Sequence, residues 1–188
     1  MKDKPAVFLD RDGTINIEKD YLIDPAEFEF IPGVPQALKR LQDAGFLLVV
    51  VTNQSGVARG FFSLSQVEQL HEYMSMLLAD FGVTLAGIYI CPHHPIAGTG
   101  EYRQECCCRK GQPGLLLQAA EDLAIDLQRS YVIGDKEADL QAGQAAGCQS
   151  FLVRTGYGEK FVETAFEYEA EVVADLPDAV FKILSQQL

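Results

Sequence analysis

The strongest indication of the fold of this chain is the stretch AVFLDRDGT at residues 6–14. Four apolar residues run directly into two aspartates, Asp10 and Asp12, that are separated by a single residue. Continuous rather than alternating hydrophobicity predicts a strand that is covered on both faces, as in a parallel sheet. Asp10 and Asp12 therefore follow the carboxyl end of a buried strand, which is where open α/β sheets bind their ligands.

Similar apolar runs recur along the chain, and helix-like patterns lie between them. The further runs occupy residues 46–53, 86–91, 131–135, 150–155 and 170–175. Ser63 is a plausible helix cap, Gly45 a helix end and Pro113 an opening turn. The alternation predicts an α/β fold, a doubly wound and mostly parallel sheet flanked by helices, in one domain spanning residues 1–188. The exception is a long irregular stretch at residues 91–112.

Composition and charge exclude several classes of protein. The chain has 188 residues, of which 48% are hydrophobic and 22% charged, with a net charge of −12. That charge argues against nucleic acid as a partner, because such binding needs many cations. No apolar run approaches a membrane span, and the start lacks a secretory signal. We expect a cytoplasmic protein that acts as a monomer on a small molecule, with no membrane partner.

Chemistry-bearing residues cluster where the predicted strands end. Carboxylates placed close together are costly to fold unless a cation neutralises them, and a hard divalent ion, most naturally Mg²⁺, suits carboxylate oxygens. Taken singly each feature is weak, but their order along the chain would bring all of them to one edge of the sheet. They are Asp10 and Asp12 after the first strand, Thr52 after the second, Lys110 ahead of a helix, and Asp135 with Asp139 after a later strand.

This arrangement resembles the haloacid dehalogenase (HAD) superfamily of phosphohydrolases. The stretches FLDRDGTIN, VVVTNQSGVARG, CPHHP, CRK and VIGDK look more narrowly like the D-glycero-D-manno-heptose 1,7-bisphosphate 7-phosphatase family. The likeness covers residues 6 to about 156. The related histidinol-phosphate phosphatases resemble the chain almost as closely. The likeness implies a HAD-like fold without a large cap domain and a Mg²⁺-dependent phosphatase that forms an aspartyl-phosphate intermediate.

The resemblance also implies catalytic roles. Asp10 would be the nucleophile. Asp12 would protonate the leaving sugar oxygen as an acid and later, as a base, take a proton from the attacking water. Thr52 and Lys110 would stabilise charge on the phosphoryl oxygens. Mg²⁺ would be held by Asp10, Asp135 and the main-chain carbonyl of Asp12, with Asp139 in the second sphere.

A substrate site follows residue by residue from the same likeness. A bisphosphate needs cations beyond the reaction centre, and the guanidinium of Arg109 suits that role. The residues expected to contact substrate are Arg11, Glu18, Lys19, Asp20, Tyr21, Asn53, Gln54, Ser55, Arg109 and Lys136.

Four of the five cysteines lie in residues 91–108, a loop that we expect to be braced by structural zinc. Two closely spaced pairs of Cys or His residues, joined by a loop, can supply the four ligands of a tetrahedral zinc. The alternatives are that the cysteines are free or that two of them form a redox pair. The resemblance selects Cys91, His93, Cys106 and Cys108 as zinc ligands. It leaves out Cys107, although exchange of Cys107 with either neighbour stays open.

The residue after Lys110 departs from the pattern of the family. The family often has proline after the motif lysine, where this chain has Gly111, which adds backbone freedom next to Lys110. Histidinol-phosphate phosphatase activity remains an alternative. A phospho-acceptor signalling domain is a third reading, but Asp12 argues against it because an acid/base neighbour speeds the loss of an aspartyl phosphate.

Overall fold

A six-stranded parallel sheet forms the centre of the protein, in a computed structural model that describes residues 4–186. The strands are β1 (Ala6–Leu9), β2 (Leu47–Asn53), β3 (Gly87–Cys91), β4 (Tyr131–Gly134), β5 (Gln149–Val153) and β6 (Glu171–Val173). Their order across the sheet is β3-β2-β1-β4-β5-β6, and every neighbouring pair is parallel. The predicted doubly wound sheet is confirmed.

In residues 4–186, four α-helices lie between consecutive strands and a fifth follows β6. They are α1 (Val34–Asp43), α2 (Leu64–Ala79), α3 (Gly114–Leu123), α4 (Glu137–Ala146) and α5 (Leu176–Ser185). Ser63 caps α2 as predicted: its hydroxyl accepts from the main-chain N–H of Gln66, and the Gln66 side chain accepts from the N–H of Ser63. Pro113 lies immediately before α3, also as predicted.

Both faces of the sheet are covered, which explains the uninterrupted apolar runs. Val7 and Leu9 of β1 belong to a core cluster with side chains of α1, α2 and α5. Ala6 and Phe8 point the other way, into a cluster with side chains of α3 and α4. Because each face meets a helical layer, every residue of β1 is fully buried.

The strand order reverses between β1 and β4, the topological switch point of this fold. The main-chain N–H of Asp10 donates to the carbonyl of Ile133 at 3.0 Å, so the chain leaves β1 alongside the end of β4. Residues that follow β1, β2 and β4 therefore meet at the centre of the carboxyl edge.

Three connections are long: residues 10–33 between β1 and α1, residues 154–170 between β5 and β6, and residues 92–113 between β3 and α3. The last of these contains one 3₁₀ turn, Gly100–Tyr102, and otherwise no regular structure. Within residues 4–186 no large cap domain is inserted, in agreement with the sequence. Over the same residues, none of the helices combines the length and apolar character that a bilayer span requires.

Candidate active site

Lys110 and Asp10 form the buried centre of the site. The Lys110 ammonium lies 2.6 Å from Oδ1 of Asp10 and 2.7 Å from Oδ1 of Asp139, and it donates to the Val51 carbonyl at 2.7 Å. Burial works against the charge on Asp10, but Lys110 and Lys136 outweigh it and lower the pKa of Asp10 to about 2. Asp10 is therefore a carboxylate at neutral pH, the form in which an aspartate can act as a nucleophile.

Asp135 lies beside this pair, enclosed by backbone. Its Oδ2 accepts from the Tyr157 main-chain N–H at 2.8 Å, and a Cβ built on Gly13 or Gly156 would lie 2.3 or 2.2 Å from the same oxygen. These two positions therefore have to be glycine. Burial and the negative charge of Asp10 raise the pKa of Asp135 to about 8, although Lys136 pulls the other way.

The carboxylates of Asp10, Asp135 and Asp139 offer oxygens that all lie within 4.8 Å of one another, a spacing that fits a divalent cation. Both oxygens of Asp139 already have protein partners, since Oδ1 contacts Lys110 and Oδ2 accepts from the Lys136 main-chain N–H at 3.1 Å. Asp10 and Asp135 are thus the carboxylates that could bind the ion directly. Lys136 extends its ammonium toward them, 3.0 Å from Asp135 and 3.7 Å from Asp10.

Asp12 is held by donors from three residues. Nη2 of Arg11 lies 2.6 Å from Oδ2, Asn16 donates to Oδ1 at 3.0 Å, and Gln54 donates to Oδ2 at 3.1 Å. The Gln54 amide also donates to Oγ1 of Thr52 at 2.8 Å, which links the residues after β1 to those after β2. The carboxylate keeps 17% of its surface exposed and borders the cavity described next.

These side chains form the floor and wall of a cavity of about 270 Å³. Two cations, Arg109 and Lys136, border it in addition to Lys110, so an anionic ligand would meet positive charge beyond the reaction centre. The lining residues are Asp10, Asp12, Glu18, Asp20, Tyr21, Asn53, Gln54, Ser55, Gly56, Arg109, Lys110, Lys136, Ala138, Asp139 and Tyr157.

Most residues predicted from the sequence meet at this cavity, but two of the expected substrate contacts do not. The Arg11 side chain is completely buried and turned toward Asp12, so it does not border the cavity. Lys19 donates to the Glu27 carbonyl at 2.6 Å and is also absent from the lining. Thr52 and Asp135 are buried beside the floor.

Sequence reasoning missed Tyr157, which borders the cavity from the loop after β5. Its hydroxyl donates to Asp20, and its ring lies 5.1 Å from the Lys136 ammonium. No motif surrounds Tyr157, and an aromatic residue after a glycine in a loop gives no local signal of a site. The Asp20 contact fastens one side of the segment 18–21 at the cavity rim.

The opposite side of that segment rests on an aromatic contact. Tyr21 packs edge-on against Phe61, with ring centroids 4.8 Å apart. Asp20 and Tyr21 adopt φ angles of +43° and +61°, a left-handed conformation that costs side-chain-bearing residues free energy. Contacts with Phe61 and Tyr157 therefore hold a strained turn over the cavity.

The predicted zinc ligands come together in the irregular loop. The sulfurs of Cys91, Cys106 and Cys108 are 3.3 to 3.6 Å apart, and Nδ1 of His93 lies 3.3 Å from the Cys108 sulfur and 3.9 Å from that of Cys91. Ligands about 2.0 to 2.3 Å from a tetrahedral zinc are separated by such distances, so this set fits the ion. Cys107 is exposed and lies outside the set.

Residues 109–111 connect this loop to the active site. Arg109 donates to the His93 carbonyl, and the Asn53 side chain accepts from the Lys110 main-chain N–H at 2.9 Å. Gly111 has a φ of +98° and donates its N–H to the Ala138 carbonyl at 2.9 Å, neither of which a proline could do. Glycine at position 111 thus allows a turn in which the Lys110 ammonium keeps its contacts with Asp10, Asp139 and the Val51 carbonyl.

Comparisons with known proteins agree with this geometry. A family described as HAD-hydrolase-like matches residues 107–179. The D-glycero-beta-D-manno-heptose-1,7-bisphosphate 7-phosphatase of Haemophilus ducreyi is 53% identical over 92% of both chains, and that of Escherichia coli K12 is 50% identical over 96% of both.

Solved structures point the same way. The D,D-heptose 1,7-bisphosphate phosphatase from B. bronchiseptica, crystallised with magnesium and phosphate, matches with a TM-score of 0.86 and 35% identity, over 97% of this chain and 99% of that one. The chain belongs to the D-glycero-beta-D-manno-heptose-1,7-bisphosphate 7-phosphatase family of HAD-type hydrolases.

Proposed function

We propose that this protein is a Mg²⁺-dependent phosphatase that removes the 7-phosphate of D-glycero-D-manno-heptose 1,7-bisphosphate. The observation that carries the proposal is the buried Asp10–Lys110 pair at the floor of a cavity that also presents Arg109 and Lys136. Relatives with that named activity, about 50% identical over most of their length, support the choice of substrate.

The reaction proceeds in two displacements at phosphorus. In the first, an Asp10 oxygen forms a bond to phosphorus while the bond from phosphorus to the sugar oxygen breaks, and Asp12, which enters this step protonated, gives its proton to the leaving oxygen. In the second, water attacks the aspartyl phosphate and gives its proton to Asp12, which releases phosphate and restores Asp10. The charges of Lys110 and Lys136 keep Asp10 ionised for the first step.

The remaining groups stabilise charge on the transferring phosphoryl group. The Lys110 ammonium, which Asp10, Asp139 and Val51 hold in place, is directed at the nucleophile, where phosphoryl oxygens gather. Thr52 adds a hydroxyl at the end of β2. Mg²⁺ held by Asp10 and Asp135, with the main-chain carbonyl of Asp12, would neutralise the phosphoryl charge when bound.

The second phosphate of the substrate binds Arg109 and Lys136. Arg109 borders the cavity and offers a planar fork suited to phosphate, while Lys136 borders it near Asp135. Lys136 also pairs with Asp10, Asp135 and Glu18, so Arg109 is the cation that a monophosphate would leave without an anionic partner. Arg109 thus favours a bisphosphate over a monoester of similar size.

The zinc is structural. Four protein ligands, Cys91, His93, Cys106 and Cys108, leave no open position for water. The loop contributes few apolar side chains to the core, so the metal supplies the order that packing does not.

We also propose that the enzyme acts as a cytoplasmic monomer. Support comes from the catalytic groups, all of which lie in one chain, and from five cysteines without a disulfide among them, as is usual in a reducing compartment. Light scattering at working concentration tests the monomer.

The substrate assignment is tested by phosphate release with Mg²⁺ from heptose 1,7-bisphosphate and from histidinol phosphate, compared by kcat/KM. We expect a clear preference for the bisphosphate. Asp10→Asn is expected to lower kcat by roughly 10⁴-fold or more, because the nucleophile is lost. Equal rates on both substrates would contradict the substrate assignment, and an active Asp10→Asn variant would contradict the proposed nucleophile.

A further inference from the structure

Arg11 is an unusual residue for the position that it occupies. It is the largest of the fully buried side chains and carries a charge that cannot be removed. Arginine is rarely buried unless it is paired, because the cost of taking the charge out of water must be offset. Its place directly after the nucleophile suggests that the arrangement serves the reaction.

The guanidinium of Arg11 reaches both oxygens of Asp12. Nε lies 3.1 Å from each oxygen, and Nη2 lies 2.6 Å from Oδ2. Such a fork fixes the plane of a carboxylate as well as its position. Asn16 and Gln54 add one donor to each oxygen, but only Arg11 contacts both.

The other side of the guanidinium meets His71, which comes from the middle of α2. Nη1 of Arg11 lies 3.0 Å from Nε2 of His71, and the imidazole is 3% exposed. An arginine can only donate, so Nε2 must accept and the ring proton belongs on Nδ1. Burial and the charge of Arg11 lower the pKa of His71 to about 3, which keeps the ring neutral as this hydrogen bond requires.

We infer that Arg11 and His71 form a positioning pair that fixes the Asp12 carboxylate for proton transfer to the sugar oxygen. The inference rests on the proposed function, since it gives Asp12 the role of acid and base. His71 orients the guanidinium from behind, and the guanidinium orients Asp12 toward the cavity. Neither side chain borders the cavity, so neither is expected to bind substrate.

A general acid matters in proportion to how poor the leaving group is. A sugar alkoxide cannot leave without a proton, whereas p-nitrophenolate can. Displacement of Asp12 should therefore lower kcat/KM for the sugar phosphate and leave kcat/KM for p-nitrophenyl phosphate nearly unchanged. This constant reports the step that forms the aspartyl phosphate. General damage to the site would slow both.

The test uses His71→Leu, which keeps the volume but removes the acceptor. We expect kcat/KM for heptose 1,7-bisphosphate to fall by roughly 30- to 100-fold, as a misplaced catalytic group predicts, while kcat/KM for p-nitrophenyl phosphate changes by less than about threefold. His71→Gln returns an acceptor to the position of Nε2 and should restore the sugar phosphate rate to within about threefold of wild type. Arg11→Lys, which keeps the charge and loses the fork, should show the same selective loss and replaces His71→Leu if that variant does not fold.

Met74→Ala is the matched control, because Met74 is fully buried on the same helix one turn away and belongs to the apolar core. This variant should change kcat/KM for both substrates by a similar factor. A parallel loss on both substrates in His71→Leu, no loss on either, or a His71→Gln variant no better than His71→Leu would each overturn the inference.

The two proposals fail in different ways. Lack of preference for heptose bisphosphate in the wild-type enzyme overturns the proposed substrate. The ratio between an alkyl phosphate such as glycerol phosphate and p-nitrophenyl phosphate still tests the positioning pair in that case.

Discussion

The guanidinium of Arg109 donates a hydrogen bond of 3.1 Å to the main-chain carbonyl of His93. One residue is a cation at the substrate cavity, and the other is a predicted zinc ligand in a loop with little regular structure. The position of the cation therefore depends on the order of the metal loop. Zinc held by this loop would contribute to substrate binding in this way without contact with the substrate.

Loss of zinc should weaken binding of the bisphosphate. Cys106→Ser is expected to lose zinc by metal analysis and to raise KM for heptose 1,7-bisphosphate roughly tenfold, the effect of one charge-assisted hydrogen bond. Cys107→Ser is the control and should keep both zinc and KM, since the Cys107 side chain lies outside the ligand set. Loss of zinc in Cys107→Ser would show that the ligand register is wrong.

Mg²⁺ affinity should rise with pH. The pKa of Asp135 is raised from 3.8 to about 8 without metal, so the folded protein holds a proton there that the unfolded chain has lost. The metal-free fold thus loses stability as the pH rises from about 4 to about 8, and Mg²⁺, which binds the carboxylate, displaces the proton. Titration calorimetry should give an affinity that increases from pH 6 to pH 8 with proton release.

The control for this pH effect is Asp135→Asn, which should bind Mg²⁺ more weakly at every pH and release no proton. Equal affinity of the wild type at pH 6 and pH 8 would contradict the raised pKa.

The glycines around Asp135 should be irreplaceable. In Gly156→Ala the new methyl would lie 2.2 Å from Oδ2 of Asp135 and 2.6 Å from the Cα of Gly13, so we expect loss of Mg²⁺ affinity together with stability. Gly147→Ala is the matched control, because Gly147 also has a positive φ but no atom within 4 Å of a new methyl. It should cost about 1 kcal/mol of unfolding free energy and leave Mg²⁺ affinity unchanged.

Urea denaturation and Mg²⁺ titration of both glycine variants provide the comparison. If Gly156→Ala binds Mg²⁺ like the wild type, close packing around Asp135 has no part in holding the metal.

Much of this architecture was predictable, because the pattern of apolar residues and the motifs can both be recognised in short stretches of sequence. Continuous apolar runs predicted strands covered on both faces, and β1 is buried in that way. The carboxyl ends of parallel strands lie at the same edge of a sheet, and β2, β1 and β4 are neighbours. This arrangement brings Asp10, Thr52 and Asp135 together.

Other parts of the site depend on distant contacts that no local pattern encodes. His71 reads as one more residue of an amphipathic helix, and only the packing of α2 brings it to Arg11, 60 positions away. The family resemblance placed Arg11 itself at the substrate, whereas its side chain turns to Asp12. The direction of a loop side chain follows from its partners, and here the partner is Asp12.

In the proposed reaction, Asp10 takes the phosphate from C7 while Arg109 and Lys136 hold the phosphate at C1. Phosphorus NMR of the reaction with heptose 1,7-bisphosphate and Mg²⁺ tests it most directly. We predict that the resonance of the C7 phosphate is replaced by that of inorganic phosphate while the C1 phosphate signal persists. Loss of the C1 signal, or of both signals at similar rates, would contradict the account.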